Sequence, residues 1–65
     1  DTQTHRRMLD ALASLQDNPR QGIRLTNVNI GQWRLRVGDW RIRYDIEGDQ
    51  VLLYRVRHRR DIYQD

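Results

Sequence analysis

The chain has 65 residues and no cysteine, so it is one small domain that buries only about 60% of its unfolded surface and has neither disulfide nor thiolate metal site to help. Its formal charge is +3, and all 12 basic residues are arginine. No apolar run approaches a membrane span or a signal-peptide core, so a cytoplasmic location and no membrane partner are expected.

The sequence starts at Asp1, inside what reads as a helix, which suits a processed product or a piece of something longer. Residues 4 to 17 carry the helical pattern: Met8, Leu12 and Leu15 recur at i, i+4 and i+7, with Leu9 and Ala11 widening the stripe. Thr2 or Thr4 is the expected N-cap. Asn18-Pro19 stops the helix, because proline disfavours the α region for the residue before it. Arg20-Gln21-Gly22 reads as loop, and Ile23 to Ile30 as a connector or a short edge strand.

From Trp33 the period is 2. Trp33, Leu35 and Val37 alternate with Arg34 and Arg36; after Gly38-Asp39, the residues Trp40, Ile42, Tyr44 and Ile46 alternate with Arg41, Arg43 and Asp45. Glycine first in a two-residue loop predicts a type II′ hairpin. A second turn at Gly48-Asp49 leads to the strand Val51 to Arg57, apolar on both faces at first and so expected at the centre of the sheet. The predicted architecture is α+β: a helix packed on an antiparallel sheet of three strands, or four if the Ile23 segment pairs.

Register turns this pattern into chemistry. With Gly38-Asp39 as the loop, Val37 faces Trp40, Leu35 faces Ile42 and Trp33 faces Tyr44, building the face that covers the helix. The same register sets Arg36 against Arg41 and Arg34 against Arg43. Like charges directly opposed destabilise an antiparallel pair. A genome rich in arginine codons explains the missing lysines, but not this clustering. Joined by Arg55, Arg57, Arg59 and Arg60 from the next strand's end, the four predict an anion-binding surface, with RNA, DNA and acidic protein all open as partners. His58 alone in the cluster can gain or lose a proton near neutral pH, which makes it a candidate general acid or base. Asp45, Glu47 and Asp49 read as turn and solubility residues, and His5 as exposed. No metal-ligand spacing, phosphate-cradling glycine loop or nucleophile elbow occurs, so no metal or cofactor is expected.

The stretch Trp33-Arg-Leu-Arg-Val-Gly-Asp-Trp-Arg41, then Ile-Arg-Tyr44 and Arg57-His-Arg-Arg-Asp-Ile-Tyr63, resembles the RelE/ParE superfamily of bacterial and archaeal toxins, and within it the RelE branch. The helix ending at Asp17-Asn18-Pro19 fits the same pattern, so the resemblance runs over residues 4 to 63. It implies a single toxin domain over 1–65 that enters the ribosomal A site and cuts mRNA. Cleavage is by attack of the ribose 2′-hydroxyl on the adjacent phosphate, without metal. Implied partners are mRNA, the ribosome and a cognate RelB-like antitoxin. By the resemblance, Arg41 steadies the scissile phosphate, Arg59 protonates or stabilises the leaving group, and Tyr63 orients the nucleotide by stacking. Arg34 and Arg36 fall where the best-studied members carry two lysines assigned to base catalysis; Arg43, Arg57 and Arg60 complete the expected RNA- and phosphate-binding set.

Two departures matter. Arginine does not give up its proton in practice, so Arg34 and Arg36 can stabilise charge but not act as bases, which moves that role to His58. Family members also begin with a β-strand and a first helix that this sequence lacks, and the exposed sheet edge would then be a template for another chain. Two alternatives to the mRNA endonuclease stand beside it: a ParE-like, non-enzymatic inhibitor of DNA gyrase, and a degenerate, inactive nucleic-acid-binding relative.

Overall fold

The computed structural model describes residues 1–62. Helix α1 spans Thr2–Asp17 and starts a little earlier than the apolar stripe. Its N-cap is therefore Asp1, whose carboxylate accepts the Thr4 backbone N–H at 2.7 Å, in place of the threonines expected there. A carboxylate at that end also meets the positive pole of the helix. The helix closes at Asn18, as its proline neighbour requires, and Pro19–Gln21 form a 3-10 turn where an open loop was expected. Met8, Leu12 and Leu15 face the sheet; Leu9, read as part of that stripe, is 53% exposed.

The strands are β1 (Ile23–Arg24), β2 (Trp33–Val37), β3 (Trp40–Glu47) and β4 (Gln50–His58), followed by a short helix α2 (Arg59–Ile62). They form one antiparallel sheet in the order β1-β2-β3-β4. The fold is thus the expected helix on an antiparallel sheet, with Ile23–Arg24 supplying the fourth, two-residue edge strand. Pairing of Val37 with Trp40 and of Glu47 with Gln50 leaves Gly38-Asp39 and Gly48-Asp49 as two-residue loops. Gly38 has φ 61°, the conformation that a type II′ turn demands at its first position.

The expectation that fails concerns β4, which lies at the edge of the sheet while β3 is central. Its run of apolar residues does not mark burial on both faces: Leu52 and Leu53 are 43% and 52% exposed. A hollow of about 620 Å³ opens between the end of α1 and this strand, with Leu12, Leu15, Val51 and Leu53 in its wall.

Leu15, Ile42 and Tyr44 are fully buried, ringed by Met8, Leu12, Trp33, Leu35, Val37, Ile46 and Val51. Trp33 stacks on Tyr44 with ring centres 6.2 Å apart. The Tyr44 hydroxyl donates to the Pro19 carbonyl at 2.7 Å and accepts the Gly22 N–H at 3.3 Å, so it ties the 3-10 turn to the core. Burial pushes this phenol above the ordinary tyrosine value, opposed by the Gly22 hydrogen bond. Among the described residues, no helix is long and apolar enough to cross a membrane.

Candidate nucleic-acid interface

Side chains alternate across a strand, so once Trp33, Leu35 and Val37 take the helix side, Arg34 and Arg36 take the other. The observed register pairs Arg34 with Arg43 and Arg36 with Arg41, as expected. It then pairs Arg43 with Arg55 and Arg41 with Arg57. The result is two rows of three arginines across β2, β3 and β4: Arg34–Arg43–Arg55 and Arg36–Arg41–Arg57. Neighbouring strands lie about 4.8 Å apart and the rows about 6.7 Å apart along them, so six guanidiniums rise from a very small patch.

The fold offsets part of this repulsion. Arg43 donates from Nε to the Gly31 carbonyl at 2.6 Å and from Nη2 to the Ile30 carbonyl at 3.0 Å. Most of its fork thus holds the loop before β2, leaving less for the phosphate it was expected to bind. Arg36 donates from Nε to the Gly38 carbonyl at 3.0 Å, bracing the hairpin. Arg43 and Arg55 lie 5.8 Å and 4.9 Å from the centre of the Tyr54 ring, within cation–π range. Among the described residues, no hydrogen bond or ion pair engages the side chain of Arg34 or of Arg41.

Asp45 is no mere turn residue. Its carboxylate accepts the N–H of Gly31 and of Gln32, each at 2.8 Å, and so clamps the same loop that Arg43 holds. Those two backbone hydrogen bonds, Gln32 first, keep its pKa below the ordinary aspartate value; slight burial opposes them and the Arg43 charge assists. Strand spacing alone did not reveal this clamp, because the path of residues 25–32 is not periodic.

The ladder between β3 and β4 breaks once. Arg43 pairs with Arg55 and Tyr44 with Leu53, which leaves Tyr54 as the extra residue of a β-bulge. Everything beyond it changes side relative to simple alternation. Counting by twos from the core residue Val51 would put Arg55 and Arg57 beneath the helix and His58 among the arginines. The bulge does the reverse: it brings Arg55 and Arg57 to the arginine face and turns His58 to the helix side, paired with Trp40. The Tyr54 ring lies on the arginine face, against Gly31.

The C-terminal residues singled out from sequence are therefore not assembled as expected. His58 meets Trp40 edge-on at 5.0 Å and accepts the Arg60 N–H at 3.3 Å through Nδ1. It borders a cavity of about 300 Å³ with Thr4, Arg7 and Asp39, on the side of the sheet away from Arg41. Arg59 continues the ladder by donating its N–H to the Asp39 carbonyl at 2.8 Å, and its guanidinium lies 3.6 Å from the Asp39 carboxylate, both side chains exposed. Arg60 is exposed on α2, and Tyr63 lies outside the described residues. The arginine that stands beside Arg41 is Arg57.

Residues 1–63 match a family model described as the ParE toxin of the type II toxin–antitoxin system, parDE. No curated protein and no solved structure gives a match.

Proposed function

The chain belongs to the ParE toxin family of type II toxin–antitoxin systems, which makes it a toxin with an antitoxin partner, and on that premise we propose that it acts on RNA through its arginine face, as a ribosome-dependent mRNA endonuclease. The observation that carries this reading is the pair of arginine rows, a concentration of fixed positive charge whose natural complement is a run of phosphates.

Arg36, Arg41 and Arg57 form the row over which the scissile phosphate is held. In the reaction the ribose 2′-oxygen attacks the neighbouring phosphorus, the 5′-oxygen departs, and a 2′,3′-cyclic phosphate remains; one proton leaves the 2′-hydroxyl and one reaches the leaving oxygen. Guanidiniums fixed around the phosphorus stabilise the charge that builds on its oxygens. They cannot accept the 2′-hydroxyl proton. His58 faces away from this row, so proton acceptance falls to the ribosome-bound assembly, which accounts for an enzyme that cuts only there. Arg59, on α2 beside Asp39 of the β2–β3 turn, supplies positive charge on the leaving-group side, and the proton that reaches the leaving oxygen comes from the same ribosome-bound assembly.

A second reading is non-enzymatic inhibition of DNA gyrase. It is favoured by the ParE description of the matching family and by the lack of an imidazole in the arginine rows among the described residues. Purified chain added to programmed ribosomes separates the two. The nuclease reading expects mRNA cut in the A site, lost in Arg41→Ala. Intact mRNA together with blocked gyrase supercoiling overturns it in favour of the second.

A further inference from the structure

Tyr54 lies on the arginine face, and neither charge nor core packing explains it. It is the bulged residue of β4, and it remains 46% exposed although it is a large aromatic. Its position is nevertheless fixed. Gly31 approaches the ring so closely that a Cβ there would sit 2.6 Å from the Tyr54 Cδ2. The Gly31 backbone is itself held from both ends, its N–H by Asp45 and its carbonyl by Arg43. Arg43 and Arg55 bracket the ring at 5.8 Å and 4.9 Å. A bulge that re-aims a side chain beside a site is a recurrent device, and here it delivers a rigid, exposed aromatic into a field of arginines.

We propose that Tyr54 is a base-stacking platform, and that the arginine face is built for single-stranded RNA. This deepens the RNA reading given above and rests on it. A duplex keeps its bases stacked inside and offers such a face only phosphate and sugar. A single strand offers both phosphates for the Arg36–Arg41–Arg57 row and an unstacked base for a neighbouring ring. The Tyr54 ring and the adjacent guanidiniums of Arg43 and Arg55 together form a surface on which a base can lie, since bases stack on aromatic rings and on guanidinium planes alike. Because every base has a π face, this interaction selects strandedness and not sequence.

Were the ring only a lid over Gly31, leucine would serve as well. That contrast sets the test. Binding is measured for a labelled single-stranded oligouridylate, an RNA duplex and inorganic polyphosphate, with the parent chain, Tyr54→Leu and Tyr54→Phe. The leucine variant keeps an apolar cover on Gly31 and so preserves the fold, which circular dichroism checks. Tyr54→Leu is expected to weaken oligouridylate binding by about tenfold, in the range of a single base–aromatic stack, and to leave duplex and polyphosphate binding unchanged. Tyr54→Phe is expected to bind all three as the parent does. The proposal is overturned if the leucine variant binds oligouridylate like the parent, or loses polyphosphate in the same proportion. A parent chain that binds duplex or polyphosphate but not oligouridylate overturns the platform alone. One that binds none of the three removes the RNA reading as well.

Discussion

On the helix side of the sheet, the pairs Leu35–Ile42 and Trp33–Tyr44 gain by approaching each other. On the opposite side the same register presses Arg36 on Arg41 and Arg34 on Arg43, and both pairs lose by it. One pairing scheme fixes both faces, so the apolar side sets the register and the charged side is carried by it. Core packing and concentrated charge are thereby assigned to opposite surfaces of a two-layer molecule only 14 Å across its short axis. Substitutions on the two faces should differ in sign as well as size.

The largest effect is expected from Ile42→Ala, which removes a wholly buried side chain at the centre of the sheet. Such truncations cost about 2–5 kcal/mol, enough to unfold a domain of this size; urea denaturation followed by circular dichroism reads it directly. Next comes Tyr44→Phe, which keeps the ring but strips the Pro19 carbonyl and Gly22 N–H of their partner. A loss of about 1–2 kcal/mol in the same assay is expected, and no loss would show that the turn does not depend on this anchor.

The clamp on the loop before β2 should show itself through pH. The Asp45 carboxyl is held below its unfolded value, so its contribution is fully present above the unfolded pKa and disappears as pH falls through the folded one. Thermal melts should therefore lose an acid-side component in Asp45→Asn, with the variant and the parent converging below both pKa values. Parallel pH profiles for the two proteins would refute that role.

The smallest change in stability, and the most telling, belongs to Arg41→Gln. It relieves a row of like charges, so stability should hold or rise by about 0.2–1 kcal/mol. RNA affinity should fall at the same time, and its logarithmic salt slope should shrink by about 0.7, the share of one neutralised phosphate on a single strand. A variant that unfolds as it loses binding would erase the distinction between the faces.

Much of this was legible in the residues themselves. Gly38-Asp39 between two alternating runs fixes the first hairpin, and the Arg34–Arg43 and Arg36–Arg41 pairs follow by counting. The bulge at Tyr54 was not legible, since one extra residue in a strand of Val, Leu, Tyr and Arg leaves no local mark. From that miss came the grouping of His58 with the arginines; β4 was expected at the centre for a separate reason, because Val51 to Leu53 are apolar on both faces although the strand lies at the edge. The Asp45 and Arg43 clamps were hidden for a different reason: they reach a loop whose path is set by tertiary packing and not by period.

The bulge also separates the register of this strand from the ring it carries. A codon lost at position 54 would remove the extra residue and straighten the ladder, because Leu53 and Arg55 already pair with adjacent residues of β3 on opposite sides; Arg55, Val56, Arg57 and His58 would emerge where they do now. What such a deletion would take away is the Tyr54 ring against Gly31 and beside Arg43 and Arg55. The extra residue is an addition to the arginine face that the pairing of the sheet does not need.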